Sequence, residues 1–323
     1  MKKFLTKGFV FLCGLIMLLL GCDYLSARNK DFSVFFGKIT DSSEYSRYNG
    51  TTGTVEIIPC INKVQEKNEY SKLILGDSVC YQIYNNLQYL NEEYCIMGTN
   101  RAVTLSGQYL LAKEFIENHD YVTDIYLIVT LDSFDAYFDK SFGYQYAVMP
   151  FVVTDLFQDL EEETIRIAEE SYGKFFLQKE IVNLIDYSEV NRKLYLNAVQ
   201  QYAPISSELS GHVSDHAIRY IQKMDQMCRE KDITFHVLPT PIKDNVYKHE
   251  QLERQIAEFK AAGIYHFVEE YYDCIEFYPE EQFRDEVHLG GEYVEREALN
   301  GKINNLQKKS NKLTDLNIVD SKQ

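Results

Sequence analysis

An α/β protein built on a parallel sheet is what this sequence predicts, and three apolar segments predict it. Residues 70–75, 125–131 and 233–238 are short, mostly apolar segments that read as buried strands, and 125–131 is the clearest continuous apolar run. Between them apolar residues recur at helical spacing, as over 105–118, where Leu105, Tyr109, Leu110, Phe115 and Ile116 form the expected apolar face. Parallel strands need a crossover between them, so strand and helix in alternation imply a parallel sheet covered by helices.

The elements follow in order. Lys2, Lys3 and Lys7 precede an apolar run over 9–20, and Gly21-Cys22-Asp23 follows. A basic start, a short apolar stretch and a small residue make an export signal. The run is shorter than the roughly 20 residues that span a bilayer. Leu19-Leu20-Gly21-Cys22 resembles a bacterial lipobox, with Cys22 as the lipidated residue. The other reading of residues 1–25 is an uncleaved signal anchor. Both put the body outside the cytoplasm, tethered to the membrane through the N-terminus, because the positive end stays inside.

Residues 26–67 are polar and read as a loop-rich stalk with one strand at 54–58. The α/β domain occupies 68–300. It opens with the strand at 70–75, then a helix over 78–90, a short strand at 93–97, the helix over 105–118 and the strand at 125–131. The rhythm breaks over about 134–210, a stretch rich in aromatics and acids that reads as a helical insertion. Glu161-Glu162-Glu163 within it is a solvated helix face. A helix over 213–231 and the strand at 233–238 resume the pattern. Pro239-Thr240-Pro241, a helix over 250–262 stopped by Gly263, and a short strand at 274–278 follow. Residues 301–323 form a polar tail.

The formal net charge of −16 excludes a phosphate-backbone ligand, which needs clustered Lys and Arg, so no nucleic-acid partner is expected. Beyond Cys13 and Cys22, the cysteines at 60, 80, 95, 228 and 274 are odd in number and irregular in spacing. They suggest neither a disulfide framework nor a zinc site, and buried thiols are the simplest reading. No metal or organic cofactor is implied. The 25 Tyr and 19 Phe suit a protein core or the wall of a carbohydrate groove.

Two places carry chemistry. Gly76-Asp77-Ser78 ends an apolar strand and runs into a helix. A Ser there sits at the carboxyl end of a parallel strand, where open α/β sheets bind ligands. Alone, the same residues serve equally as a helix N-cap. Near the C-terminus, the spacing of Asp285 and His288 lets a carboxylate address one imidazole nitrogen and leaves the other to take a proton from a Ser. Elsewhere, His212 and His216 have the spacing of a helical metal pair but lack further ligands, and a solvated helix start is the simpler reading. His236 reads as a packed strand residue.

On these residues the chain resembles the SGNH (GDSL-type) hydrolase superfamily. The first family block matches Gly76-Asp77-Ser78 and the last matches Asp285 and His288. The second block is similar to residues 100–107. The likeness covers roughly 70–140 and 210–298. It implies a flavodoxin-like three-layer fold with a parallel sheet, a triad of Ser78, His288 and Asp285, and an oxyanion hole made by the N–H groups of Ser78 and Gly107. The third block carries an Asn that completes the hole. Here the segment is Asp132-Ser133-Phe134, without that Asn. Ser133 or Asn100 are the substitute donors. An Asp would repel an oxyanion unless it is turned away or protonated, and one lost donor costs about 10²–10³ in rate.

The N-terminal membrane segment, the altered third block, the insertion and Leu238-Pro239-Thr240-Pro241 are similar in layout to envelope SGNH proteins that work beside membrane-bound O-acyltransferases. The function so implied is an extracytoplasmic esterase or O-acyltransferase acting on acylated cell-envelope polysaccharide or a small acyl ester. A catalytically inactive module that binds glycan or such a membrane partner is the alternative.

Overall fold

The structure, a computed structural model, describes residues 7–15, 17–18, 21, 53–85, 93–99, 103–135, 138, 143–186 and 210–294. Cys22, most of the expected stalk and the polar tail lie outside them. The chain divides into two compact units, residues 1–62 with 137–208 and residues 63–136 with 209–323.

The second unit is organised on four parallel strands in the order β2-β1-β3-β4: β1 Lys72–Gly76, β2 Tyr94–Gly98, β3 Asp124–Val129 and β4 Thr234–Pro239. Leu73 pairs with Cys95 on one side and Ile125 on the other, and Ile125 pairs in turn with Phe235. The three apolar runs are therefore adjacent and parallel, as expected. Leu73, Ile74 and Leu75 are each 0% exposed. Successive strand residues point to opposite faces, so both faces of the sheet are covered. This is the three-layer α/β arrangement, and each fully buried Leu or Ile in it contributes about 1.5–3 kcal/mol.

The covering helices are α2 (Ser78–Tyr84) after β1, α3 (Leu105–Asn118) after β2, α7 (Asp215–Arg229) before β4, and α8 (Val246–Ala261) and α9 (Glu269–Asp273) after it. Helices α3 and α7 pack on each other and against β1 and β4, while α2 packs on β2 and α9 on β4. In α3 the buried residues include Leu105, Leu110, Leu111 and Phe115. A two-residue pairing of β5 (Ile242–Lys243) with β6 (Phe277–Tyr278) lies beyond the main sheet.

The first unit contains α4 (Met149–Val153), α5 (Glu162–Tyr172) and α6 (Lys179–Asp186). Its aromatics fill a core: Tyr144 and Phe151 are 0% exposed, Tyr172 is 2% exposed, and the Tyr144 hydroxyl donates to the Phe176 carbonyl at 2.7 Å. On the exposed face of α5, Arg166 bridges Glu163 and Glu170.

The expected strand at 54–58 is not formed. The chain there is α1 (Gly53–Gln65), with Ile57, Ile61 and Val64 each 0% exposed. Their spacing of four and three places them on one helix stripe. Burial of that stripe overrides the strand preference of β-branched residues, which is weak and set by context. Among the described residues no helix is long and apolar enough to cross a membrane.

Candidate active site

The turn that carries Ser78 is shaped by close backbone approach. A Cβ at Gly76 would meet the Ile128 carbonyl oxygen at 2.2 Å and Cys80 Cβ at 2.4 Å, so only glycine ends this strand here. The next residue, Asp77, has both carboxylate oxygens in use. Oδ1 accepts from the N–H groups of Val79 and Cys80 at 3.0 and 3.3 Å, which caps α2. Oδ2 accepts from the Thr130 N–H at 2.7 Å and the Ser133 hydroxyl at 3.0 Å. Asp77 thus ties the start of α2 to the segment that leaves β3. Ser78, the first helical residue, is left to project from this turn.

Its hydroxyl meets His288. Ser78 Oγ lies 2.8 Å from His288 Nε2, across 210 positions of sequence. His288 Nδ1 is 3.0 Å from each oxygen of Asp285. An ionised carboxylate only accepts, so Nδ1 carries the proton and Nε2 offers its lone pair to the Ser78 O–H. Partial burial pushes the Asp285 carboxyl up. The N–H groups of His288 and Val287 and the imidazole outweigh that and hold it at about 2. Asp285 is therefore a carboxylate at any ordinary pH.

The segment that carries this pair closes on itself. Phe283 and Leu289 form an antiparallel bridge, the Arg284 N–H donates to the His288 carbonyl at 2.9 Å, and the Gly290 N–H donates to the Gln282 carbonyl at 2.8 Å. Lys243, only 5% exposed, extends from β5 to Glu286 at 3.2 Å.

Gly107 is buried in the first turn of α3, where amides have no intrahelical acceptor. Its neighbour Gln108 donates through Nε2 to the Gly76 carbonyl at 3.0 Å, which holds that turn against the end of β1. The preceding amide is taken: the Ser106 N–H donates to His216 Nε2 at 3.4 Å. Burial, reinforced by Arg219, lowers His216 to about 3 and keeps its ring neutral as an acceptor.

The substitute oxyanion donors fare differently. Asn100 lies outside the described residues. Ser133 has both donors engaged, its hydroxyl with Asp77 at 3.0 Å and its N–H with the Thr130 carbonyl at 3.1 Å. Asp132 is ion-paired. Its oxygens accept from Lys248 Nζ at 2.8 and 2.9 Å, and Oδ1 also accepts from Gln251 Nε2 at 2.9 Å. Lys248, Gln251 and Gln255 form a buried polar stripe on α8, and Gln255 Nε2 donates to the Leu131 carbonyl at 3.0 Å. Sequence reasoning missed this stripe. Its signal is polar residues at the spacing normally held by apolar ones, in a helix that starts four residues before the expected 250.

His212 and His216 do not converge, since His212 pairs with Glu258 on α8 while His216 accepts from α3. His236 is a packed strand residue, stacked on Tyr126 with centroids 4.7 Å apart, and it also lies between Glu270 at 3.0 Å and Asp124 at 3.5 Å.

No family model matches the chain, and no curated protein matches it. Among solved structures, a Streptococcus pneumonia protein with the provisional name platelet activating factor is similar over 78% of this chain and 92% of its own. The identity is 13% and the TM-score 0.34, a likeness too low to carry chemistry from one protein to the other.

Proposed function

We propose that the chain is a serine-dependent acyl-ester hydrolase or O-acyltransferase, tethered outside the cytoplasm and acting on acylated envelope polysaccharide. The observation that carries the reading is the Ser78–His288–Asp285 chain, with 2.8 Å between hydroxyl and imidazole and a carboxylate on the far nitrogen. That is the hydrogen-bond reach a general base needs.

In this reading Ser78 Oγ attacks the ester carbonyl and its proton passes to His288 Nε2. Asp285 holds the ring and stabilises the imidazolium. The N–H groups of Ser78 and Gly107 face the oxyanion. Collapse of the tetrahedral intermediate breaks the bond to the leaving alcohol, which takes the proton from His288 and leaves an acyl group on Ser78. Water resolves the acyl-enzyme in a hydrolase and a sugar hydroxyl does so in a transferase, in each case deprotonated by His288. The apolar, Lys-led N-terminus ending at Cys22 supports the extracytoplasmic tether, by lipidation or as a signal anchor. The layout supports a membrane-bound O-acyltransferase as partner.

One observation favours the inactive module. Asp132 stands where the family has its Asn donor, and Lys248 and Gln251 engage it. Labelling with a fluorophosphonate and hydrolysis of 4-nitrophenyl acetate decide between the two. The enzyme reading expects Ser78 to be labelled and Ser78→Ala to abolish turnover. A wild-type protein whose Ser78 takes no label, and whose loss leaves envelope acylation unchanged, establishes the module.

A further inference from the structure

The His288 segment needs a tie to the nucleophile, because several of its side chains face solvent. Glu286 is 80% exposed, so its pair with Lys243 is weakened by water and salt. A second tie is half-buried. Gln82 Nε2 donates to the Leu289 carbonyl at 2.8 Å, and Leu289 is 0% exposed. Gln82 stands four residues after Ser78 on α2, on the same helix face one turn along. Leu289 directly follows His288. Two hydrogen bonds therefore run side by side from one helix face to one segment: Ser78 to His288, and Gln82 to Leu289.

The carboxamide is a costly choice by stability alone. Its Oε1 is buried and has no partner among the described residues. An apolar side chain of that length would remove this orphaned acceptor but leave the Leu289 carbonyl without its donor, so the amide is kept for the bond it makes to that carbonyl. Turning the amide over would set Oε1 against the Leu289 carbonyl, so the donor orientation is fixed by its partner.

We propose that Gln82 is a positioning residue that sets the distance from His288 Nε2 to Ser78 Oγ. The proposal rests on the catalytic reading for its effect on rate, but not for its effect on geometry. Three full-length variants test it: Gln82→Met, which keeps length and loses the donor, Gln82→Lys, which keeps an N–H donor at similar reach, and Ser78→Ala. Two readouts are taken, 4-nitrophenyl acetate kinetics and the ¹⁵N resonance of His288 Nε2.

For Gln82→Met, kcat should fall about ten- to a hundredfold with KM within about twofold, the scale set by small misplacement of a reacting group. Its Nε2 resonance should move toward that of Ser78→Ala, and Gln82→Lys should recover most of both. Wild-type kcat and resonance in Gln82→Met overturn the proposal. Equal losses in the Met and Lys variants also overturn it, since they show a packing role indifferent to the donor. If the wild type neither turns over nor labels, yet the Gln82→Met resonance moves and Gln82→Lys restores it, the catalytic reading fails and the positioning role stands.

Discussion

His288 and His236 belong to the same α/β unit and each has a carboxylate on Nδ1, yet their second nitrogens differ. Nε2 of His288 faces the Ser78 hydroxyl, while Nε2 of His236 faces Asp124 at 3.5 Å. A hydroxyl can surrender its proton to an imidazole, and an ionised carboxylate has none to give. Burial pushes His236 down, but the hydrogen bonds and charges of Asp124 and Glu270 outweigh it and raise the ring to about 9. It is a fixed cation stacked on Tyr126 that joins β3, β4 and α9. His288, with an acid on one side only, is arranged as a base. The same residue type thus becomes a strut or a base according to what its second nitrogen meets.

The sharpest way to break this comparison is to remove each ring. His288→Ala should lower turnover by about 10³-fold or more with melting temperature nearly unchanged, since Asp285 is exposed and Ser78 only half-buried. His236→Ala should leave kcat within about threefold while lowering stability by up to about 3 kcal/mol, because Asp124 and Glu270 lose the cation that joins them and only Lys72 remains near Asp124. Denaturant unfolding and steady-state kinetics on both variants check this, and an interchange of the two effects would break the assignment.

Asp132 extends the comparison to a second buried ion pair. Asp132→Asn supplies the side chain that the SGNH proteins it resembles in sequence motifs have at this point, but it strands the Lys248 ammonium, which is 5% exposed. The expected result is a loss of about 3–5 kcal/mol with no gain in rate. Lys248→Met added to Asp132→Asn should return much of that stability. A faster and equally stable Asp132→Asn would show that the pair serves the site rather than the fold.

The smallest effect is one of pH. The folded value of His236 is raised to about 9 from an ordinary 6.5. The stability it contributes is fully present below about 6.5 and is lost as pH rises through about 9, a change on the order of 3 kcal/mol at most. Unfolding free energy measured from pH 6 to pH 10 should fall in the wild type and in His288→Ala. It should fall distinctly less in His236→Ala.

How far the candidate site is legible in advance depends on where its information lies. Gly76-Asp77-Ser78 and Asp285 with His288 are each local groups, and their spacing already fixes a strand-to-helix turn and a carboxylate beside an imidazole. The same holds for the helix at 105–118, which has the expected bounds because its periodicity is contained within it. The helix at 53–65 is illegible because its short apolar stripe reads equally well as strand until burial selects one face. The partner of Ser133 is illegible for a related reason. Its hydroxyl is a free donor on paper, and only the approach of Asp77 from another strand end occupies it.

By itself, then, the sequence determined the parallel α/β class, the Gly76-Asp77-Ser78 turn and the acid–imidazole pair, all of which rest on residues a few positions apart. Tertiary structure alone decided that Ser78 and His288 meet across 210 positions, that Asp132 is ion-paired with Lys248, and that Gln82 reaches Leu289. Those contacts depend on which strand ends and helix faces the sheet order brings together. Local periodicity carries no term for that order, because long-range pairing is selected by burial of the whole unit.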